Sequence, residues 1–299
     1  SGTIGGSVLV GDGGTLAPGN SPGTLTINGN LVLSSLSILD YELGEAGTVG
    51  GAYNDLINVN GNLTLDGTLN VSQSLGGTYG AGIYRLFNYG GTLTDNGIVL
   101  GSMPGGSANY IQTSVAGQVN LVNTQGLSFR FWDGAAGPKD NGMIDGGSGT
   151  WTLAASGAQS DNWTTESTPI NGAFTNGAYA VFQGAPGTVT VDNRDGLVAV
   201  SGMQFAVDGY SVTGGGIELL AGSNDVRVGD GTASSTVMTA TIESGLWGSG
   251  GLNKTDLGTL VLTANNTYSG GTTITAGVLQ LGNGGTSGSL TGDVVNNGV

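Results

Sequence analysis

The sequence predicts an all-β protein built as a parallel β-helix, a solenoid with almost no α-helix. Three observations carry that expectation. Apolar residues arrive in short alternating bursts such as Gly187-Thr-Val-Thr-Val-Asp192, and no stretch has helical periodicity. The bursts are closed by Gly, Asn, Asp or Ser, and the 61 glycines among 299 residues far exceed the usual roughly 7%. The same phrases recur in the same sense: Asn28-Gly-Asn-Leu-Val-Leu33 returns as Asn60-Gly-Asn-Leu-Thr-Leu65. A unit this poor in apolar mass buries no core alone but does so when stacked on its own copies.

The most regular unit is 247–282. It holds two strand-like runs, Gly258-Thr-Leu-Val-Leu-Thr263 and Gly277-Val-Leu-Gln-Leu-Gly282, whose central residues Leu260 and Val278 set the period. Residues 1–125 read as β-helix rungs, with Gly-Asn-Leu and Gly-Thr-Leu strands repeating over 1–75 and a less regular pattern over 76–125. The interval from Gly29 to Gly61 has room for an extra strand set around 36–43. Further strands are expected at 83–88, 97–100, 110–115 and 117–122. In isolation, Asn-Gly between alternating apolar residues signals a β-hairpin, so an antiparallel sandwich or barrel is the rival architecture. The repetition in one sense favours parallel rungs. Residues 181–299 return to rungs, with strands at 187–192, 197–200, 203–207, 210–212, 217–220, 226–228 and 238–242.

Between them, 126–180 is an aromatic-rich irregular segment or insertion. It gathers Phe129, Phe131, Trp132, Trp151, Trp163, Phe174 and Tyr179, interleaved with Asp133, Asp140, Asp145 and Asp161. Trp132, Trp151 and Trp163 are candidate ligand contacts if exposed. The alternative is that the rings plug the solenoid, since large aromatics are mostly buried for their area.

Glycine at this frequency suggests disorder, but 37% hydrophobic and only 9% charged residues are the reverse of a disordered composition. The net charge is −15, with six basic residues scattered at Arg85, Arg130, Lys139, Arg194, Arg227 and Lys254. That leaves no basic patch for nucleic acid or an anionic membrane. There is no cysteine, so disulfides do not staple the fold. There is no histidine either, so Ser-His-Asp and Cys-His catalysis and the usual zinc sites are excluded.

A glycosidase needs two carboxylates flanking a sugar bond. Asp192 with Asp195, or Asp225 with Asp230, are the pairs near enough in sequence, though aspartates at corners usually hydrogen-bond their own turn. The calcium β-roll repeat is absent, and Asp133, Asp140 and Asp145 offer one oxygen-rich loop. No cofactor or metal site is expected. The sequons at Asn62, Asn70, Asn162, Asn253 and Asn265 follow from composition.

The unit at 247–282 resembles the passenger-associated transport repeat of bacterial autotransporters, the type V secreted surface proteins. The resemblance lies in Gly250-Gly-Leu-Asn-Lys-Thr255, Gly258-Thr-Leu-Val-Leu262, Asn266-Thr-Tyr-Ser-Gly-Gly-Thr-Thr273 and Ala276-Gly-Val-Leu-Gln-Leu281. Asp256 departs from the family, which more often has Gly. Pro18-Gly-Asn-Ser-Pro-Gly23, Asn54-Asp-Leu-Ile-Asn-Val59 and Phe131-Trp-Asp-Gly134 also resemble passenger phrases.

The resemblance implies a right-handed parallel β-helix displayed on the outer membrane of a Gram-negative cell, attached or released. It implies a piece of a longer precursor with an export signal and a C-terminal translocator barrel. The expected role is non-enzymatic: adhesion to host extracellular matrix, a cell-surface protein or glycan, or self-association. The alternatives are a stalk for a distal binding region and, behind it, a β-helix polysaccharide-degrading enzyme.

Overall fold

The computed structural model describes residues 1–106, 108–157, 159–164 and 170–298. Parts of the 126–180 stretch, at 158 and 165–169, and residue 299 lie outside the described residues. The chain divides into two units, Ser1–Gly126 and Leu127–Val299.

In the first unit each turn of chain lays one strand on each of three sheets. Thr24–Ile27 buries Leu25 and Ile27 and turns its threonines outward. It lies parallel to Leu56–Val59, with Thr24 opposite Leu56 and Ile27 opposite Val59. On the second sheet Leu31–Leu33 stacks on Leu63–Leu65, with Leu31 facing Leu63. On the third, Leu39 of Ile38–Glu45 lies opposite Leu69 of Thr68–Thr78. All four leucines are fully buried, each contributing about 1.5–3 kcal/mol by leaving water.

The Asn-Gly phrases are corners between sheets, and no hairpin forms at them. Asn30 Oδ1 accepts from the Asn62 amide, 32 residues on, at 2.8 Å, and Asn62 Oδ1 accepts from the Thr92 amide at 2.9 Å. Corners stack closely here. A Cβ at Gly61 would lie 2.3 Å from Asn30 Oδ1, and one at Gly91 2.2 Å from Asn62 Oδ1. Glycine is required at both positions by contact with the neighbouring rung.

Parallel stacking stops near the end of this unit. Gly82–Tyr89 pairs antiparallel with Gln118–Asn123, which pairs antiparallel with Asn109–Gln112. The sequence places strands close to both positions but carries no sign of the reversal. The link 113–117 is too short for a parallel crossover, which needs a dozen or more residues, and Gly117 turns it with φ of 79°.

The second unit has sheets of nine, six and three strands. The nine-stranded sheet runs parallel from Phe129–Trp132 through Tyr179–Phe182, Gly202–Phe205, Ser223–Val228, Gly251–Thr255 and Thr272–Ile274 to Val294–Asn296. Beyond Phe129–Trp132, the short strands Trp163–Thr164 and Asn171–Gly172 add antiparallel. The six-stranded sheet stacks Gly149–Thr152, Thr188–Asp192, Ser211–Gly214, Thr239–Ile242, Thr259–Leu262 and Val278–Leu281. Leu260 sits opposite Leu279, with Val278 opposite Thr259, so the rung is one residue longer than the Leu260-to-Val278 reading.

The only helical pieces among the described residues are 3₁₀ turns at Asn193–Asp195 and Ala233–Val237. The fold is a parallel β-helix in each unit, as the sequence predicts.

Candidate functional site

The tryptophans lie inside. Trp132 and Trp151 are fully buried and Trp163 is 2% exposed. Trp163 lies 5.1 Å from Trp132, 4.9 Å from Trp151 and 4.7 Å from Phe174, centroid to centroid, mostly tilted or edge-on. Below them Phe182 stacks on Phe205 at 4.7 Å, and the column Trp132, Phe182, Phe205, Val228 continues down the sheet. These geometries add about 0.5–1.5 kcal/mol per pair beyond area burial. The three candidate contacts fill the first rungs of the second unit, and none offers a ring face to solvent. Alternation explains the placement: Trp132 and Trp151 hold inward positions of their strands, in register with Phe182 and Val191.

The aspartates of this segment surround a lysine. Lys139 Nζ donates to the Asp133 carbonyl, to the Gly134 carbonyl at 3.0 Å and to Asn162 Oδ1 at 2.8 Å. Asp133, 1% exposed, accepts from the Asp145 amide at 2.8 Å and from Asn171 Nδ2 at 2.9 Å. Asp140, at φ 56°, exchanges two hydrogen bonds with Asn171. Partial burial lowers the Lys139 pKa, opposed chiefly by Asp133 and then Asp161, Asp140 and Asp145. The loop offered for calcium is thus tied up by the chain itself: Lys139 takes the Asp133 and Gly134 carbonyls, and the Asp140 and Asp145 carboxylates accept from Asn171 and Asn141. Among the described residues no group of three His, Cys, Asp or Glu is placed to hold a metal.

One member of each carboxylate pair, Asp230 and Asp192, holds a turn, and Asp225 bonds the next rung. Asp230 Oδ1 accepts from the Thr232 amide and hydroxyl and from Ser235 Oγ. Asp225 Oδ1 accepts from Asn253 Nδ2 at 2.8 Å. Asp192 caps the 3₁₀ turn Asn193–Asp195 and is gripped by Arg194, with Nε at 2.9–3.0 Å and Nη2 at 2.5 Å. That grip holds the Asp192 carboxyl below the usual carboxylate range, so it is unsuited to act as the general acid of glycoside cleavage. Asp192 and Asp195 nevertheless line one surface cleft, with Arg194 and Thr150.

The transport-repeat region carries a second buried lysine. Lys254 is fully buried on the inward column below Ala180, Met203 and Val226. Its Nζ donates to the carbonyls of Thr255 at 2.8 Å, Asp256 at 2.7 Å and Ala276 at 3.1 Å. Burial lowers its pKa to about 8, with Asp256 pulling it up and Arg227 pushing it down.

Asp256 has φ of 62°, the left-handed region that favours glycine. An aspartate tolerates it, and here its carboxylate pairs with Arg227 at 2.7 Å and accepts from the Gly231 and Leu257 amides. This explains the departure from the family's glycine: the turn is kept and an ion pair to the preceding rung is gained. Farther on, the Asn266 side chain ties Leu246, Ala264 and Ser289 together, and Tyr268 is buried with its hydroxyl 2.6 Å from Thr272 Oγ1.

Sequence reasoning missed both lysine cages. Their acceptors are mostly backbone carbonyls, which leave no residue signature. The one available signal was register, since Lys254 stands where the two preceding rungs place Val226 and Met203.

Comparison with known proteins agrees with this geometry. The passenger-associated transport repeat matches residues 252–281. The chain is 53% identical over 276 residues, 92% of its length, to the adhesin BmaC autotransporter of Brucella suis biovar 1 (strain 1330). It spans 8% of that relative's length. No solved structure matches. With the repeat seated in register on the rungs before it, and the likeness running through both units, this chain is autotransporter passenger sequence.

Proposed function

We propose that this chain is part of a surface-displayed adhesin of a Gram-negative bacterium, acting without catalysis. The observation that carries the reading is the 53% identity over 276 residues to an autotransporter adhesin. Binding falls to the outward faces of the rungs, because the aromatic residues of 126–180 are spent on the core. In this reading 126–180 seals the first turns of the second unit, and 1–125 and 181–299 are the rung arrays. Partners are host matrix, a cell-surface protein or glycan, or another copy of the passenger. The barrel that exports it belongs to the longer protein, from which the passenger is attached or released.

The test is binding of the purified 299-residue chain to host cells and matrix proteins. Saturable binding supports adhesion. A folded chain that binds neither cells, matrix nor itself refutes it for this segment. The second reading, a stalk for a distal binding region, is favoured by the stacked parallel strands of each unit, whose large aromatic side chains are spent on the core. A stalk predicts no binding by the segment, and loss of cell adhesion when its rungs are deleted from the whole protein.

A further inference from the structure

On the six-stranded sheet of the second unit, Thr150 and Thr152 belong to Gly149–Thr152, at the edge where that sheet begins. Thr150 lies opposite Thr190 and Thr152 opposite Asp192 in the next strand, and Thr190 lies opposite Thr213 in the strand after that. The threonines of this row therefore stand about 4.8 Å apart across strands, and alternate residues roughly 6.7 Å apart along them. Among the described residues the hydroxyls of Thr150, Thr190 and Thr213 make no hydrogen bond within the protein, so each keeps a donor and two acceptor lone pairs for a partner.

At the Thr150 end the sheet face deepens into a cleft of about 210 Å³, lined also by Ser156, Gln159, Ser160, Asp192, Arg194 and Asp195. Arg194 is 87% exposed and holds the Asp192 carboxylate in one orientation. The Arg194 amide and guanidinium contact both oxygens of that carboxylate, so the ion pair is presented at the cleft as one fixed unit.

The structure assigns this cleft and the threonine row beside it as a binding track for a neutral polysaccharide or glycan chain. The assignment rests on the adhesin reading and names the ligand class at one face. The chemistry selects the class. Most of the side chains lining the track carry a hydroxyl, carboxamide or carboxylate, a mixed donor and acceptor set that matches vicinal sugar hydroxyls. The cleft holds two carboxylates against one guanidinium, in a chain of net charge −15, so a polyanion is repelled. Its volume is below the roughly 300–1,000 Å³ of pockets that engulf a small ligand, and the open row beside it suits a chain lying along the surface.

The experiment is isothermal titration of the full chain with mannohexaose, maltohexaose, cellohexaose and N-acetylchitohexaose, with a heparin hexasaccharide as the anionic control. The variants are T150V, which keeps the β-branched shape, and D192N, which keeps a capping side chain. Thermal melts confirm that both are folded. At least one neutral hexasaccharide binds the parent saturably, T150V and D192N each weaken it about three- to tenfold, as loss of one or two net hydrogen bonds requires, and heparin does not bind. The inference is overturned if no neutral probe binds, if both variants bind as the parent does, or if heparin binds more tightly. A parallel host-cell assay separates the two claims. Cell binding that survives without any neutral-glycan binding sinks the track and leaves adhesion standing, whereas absence of both sinks both.

Discussion

Replacing Lys254 by methionine changes how stability depends on pH, and the structure sets the size of the change. The Lys254 ammonium is fully buried, with a pKa of about 8 in the fold against about 10.4 in an unfolded chain. Between those values the folded protein binds fewer protons than the unfolded one, so raising the pH favours folding. Below pH 8 the fold carries a charged lysine at a penalty of about 3 kcal/mol, because each tenfold loss of proton affinity on folding is worth about 1.4 kcal/mol. That figure is a ceiling, because the carbonyls of Thr255, Asp256 and Ala276 stabilise the ammonium.

The charged groups facing it are Asp256, which raises its pKa, and Arg227, which lowers it. Buried tyrosines act in the opposite direction. Tyr84 is raised to about 12, and Tyr79, Tyr210 and Tyr268 are also raised by burial. Above pH 10 the unfolded chain therefore loses protons that the fold keeps, and stability falls. The difference between the parent and K254M cancels the tyrosine contribution.

The assay is urea unfolding at pH 7, 8, 9 and 10, followed by tryptophan fluorescence. All four tryptophans lie in Leu127–Val299, so the signal reports the unit that holds Lys254. The parent gains on K254M by up to about 2.5 kcal/mol from pH 7 to pH 10, the remainder coming above the unfolded pKa. A gap that stays flat across that range refutes the reasoning and means that Lys254 keeps an ordinary pKa in the fold.

Four further outcomes follow from the same geometry. Trp163→Ala, which empties the centre of the aromatic cluster, destabilises by about 3–5 kcal/mol, read as a lower urea midpoint and a collapsed near-ultraviolet dichroism signal. In the first unit Leu63→Ala costs about 2–5 kcal/mol, measured by hydrogen exchange of the amides of Leu31–Leu33 and Leu63–Leu65. Asp256→Gly suits the left-handed turn but removes the Arg227 ion pair and the acceptor of the Gly231 and Leu257 amides, so it is destabilising, and Asp256→Ala is worse than Asp256→Gly by roughly 1 kcal/mol because alanine resists φ > 0; equal midpoints would contradict the turn argument. Lys139→Met opens the oxygen cage at 133–145, expected as faster proteolysis within that loop and little change at Leu260 and Leu279.

What the sequence revealed was what repeats. Leu31, Leu63, Leu39 and Leu69 were legible because alternation and a recurring phrase put them on one side of successive strands. Asp256 was legible as a departure from the family's glycine, but that the turn stays left-handed, at φ 62°, was not. The reversal at Asn109–Gln112 and Gln118–Asn123 was not, because alternation of period two is identical in parallel and antiparallel strands. The indoles of Trp132, Trp151 and Trp163 read equally as platform or plug, and register with Phe182 and Val191, invisible in one dimension, decided for the plug. The Lys139 and Lys254 cages were hidden because their acceptors are mostly main-chain carbonyls. The cleft at Thr150 and Asp192 depends on a cross-strand pairing forty residues apart, as between Ser148 and Thr188, which no local pattern encodes.

The stacked corners at Gly29, Gly61 and Gly91 constrain how such a chain diverges. A Cβ at Gly61 or Gly91 would meet the rung before it at 2.2–2.3 Å, so a single inserted residue that shifts these glycines out of line disrupts two neighbours at once. A whole turn inserted or deleted brings its own glycine and its own asparagine and restores every contact. The first unit is therefore tolerant of change in steps of one rung and intolerant of smaller steps, which makes recombination between like-phrased turns a gentler route to variation in length than drift by single residues.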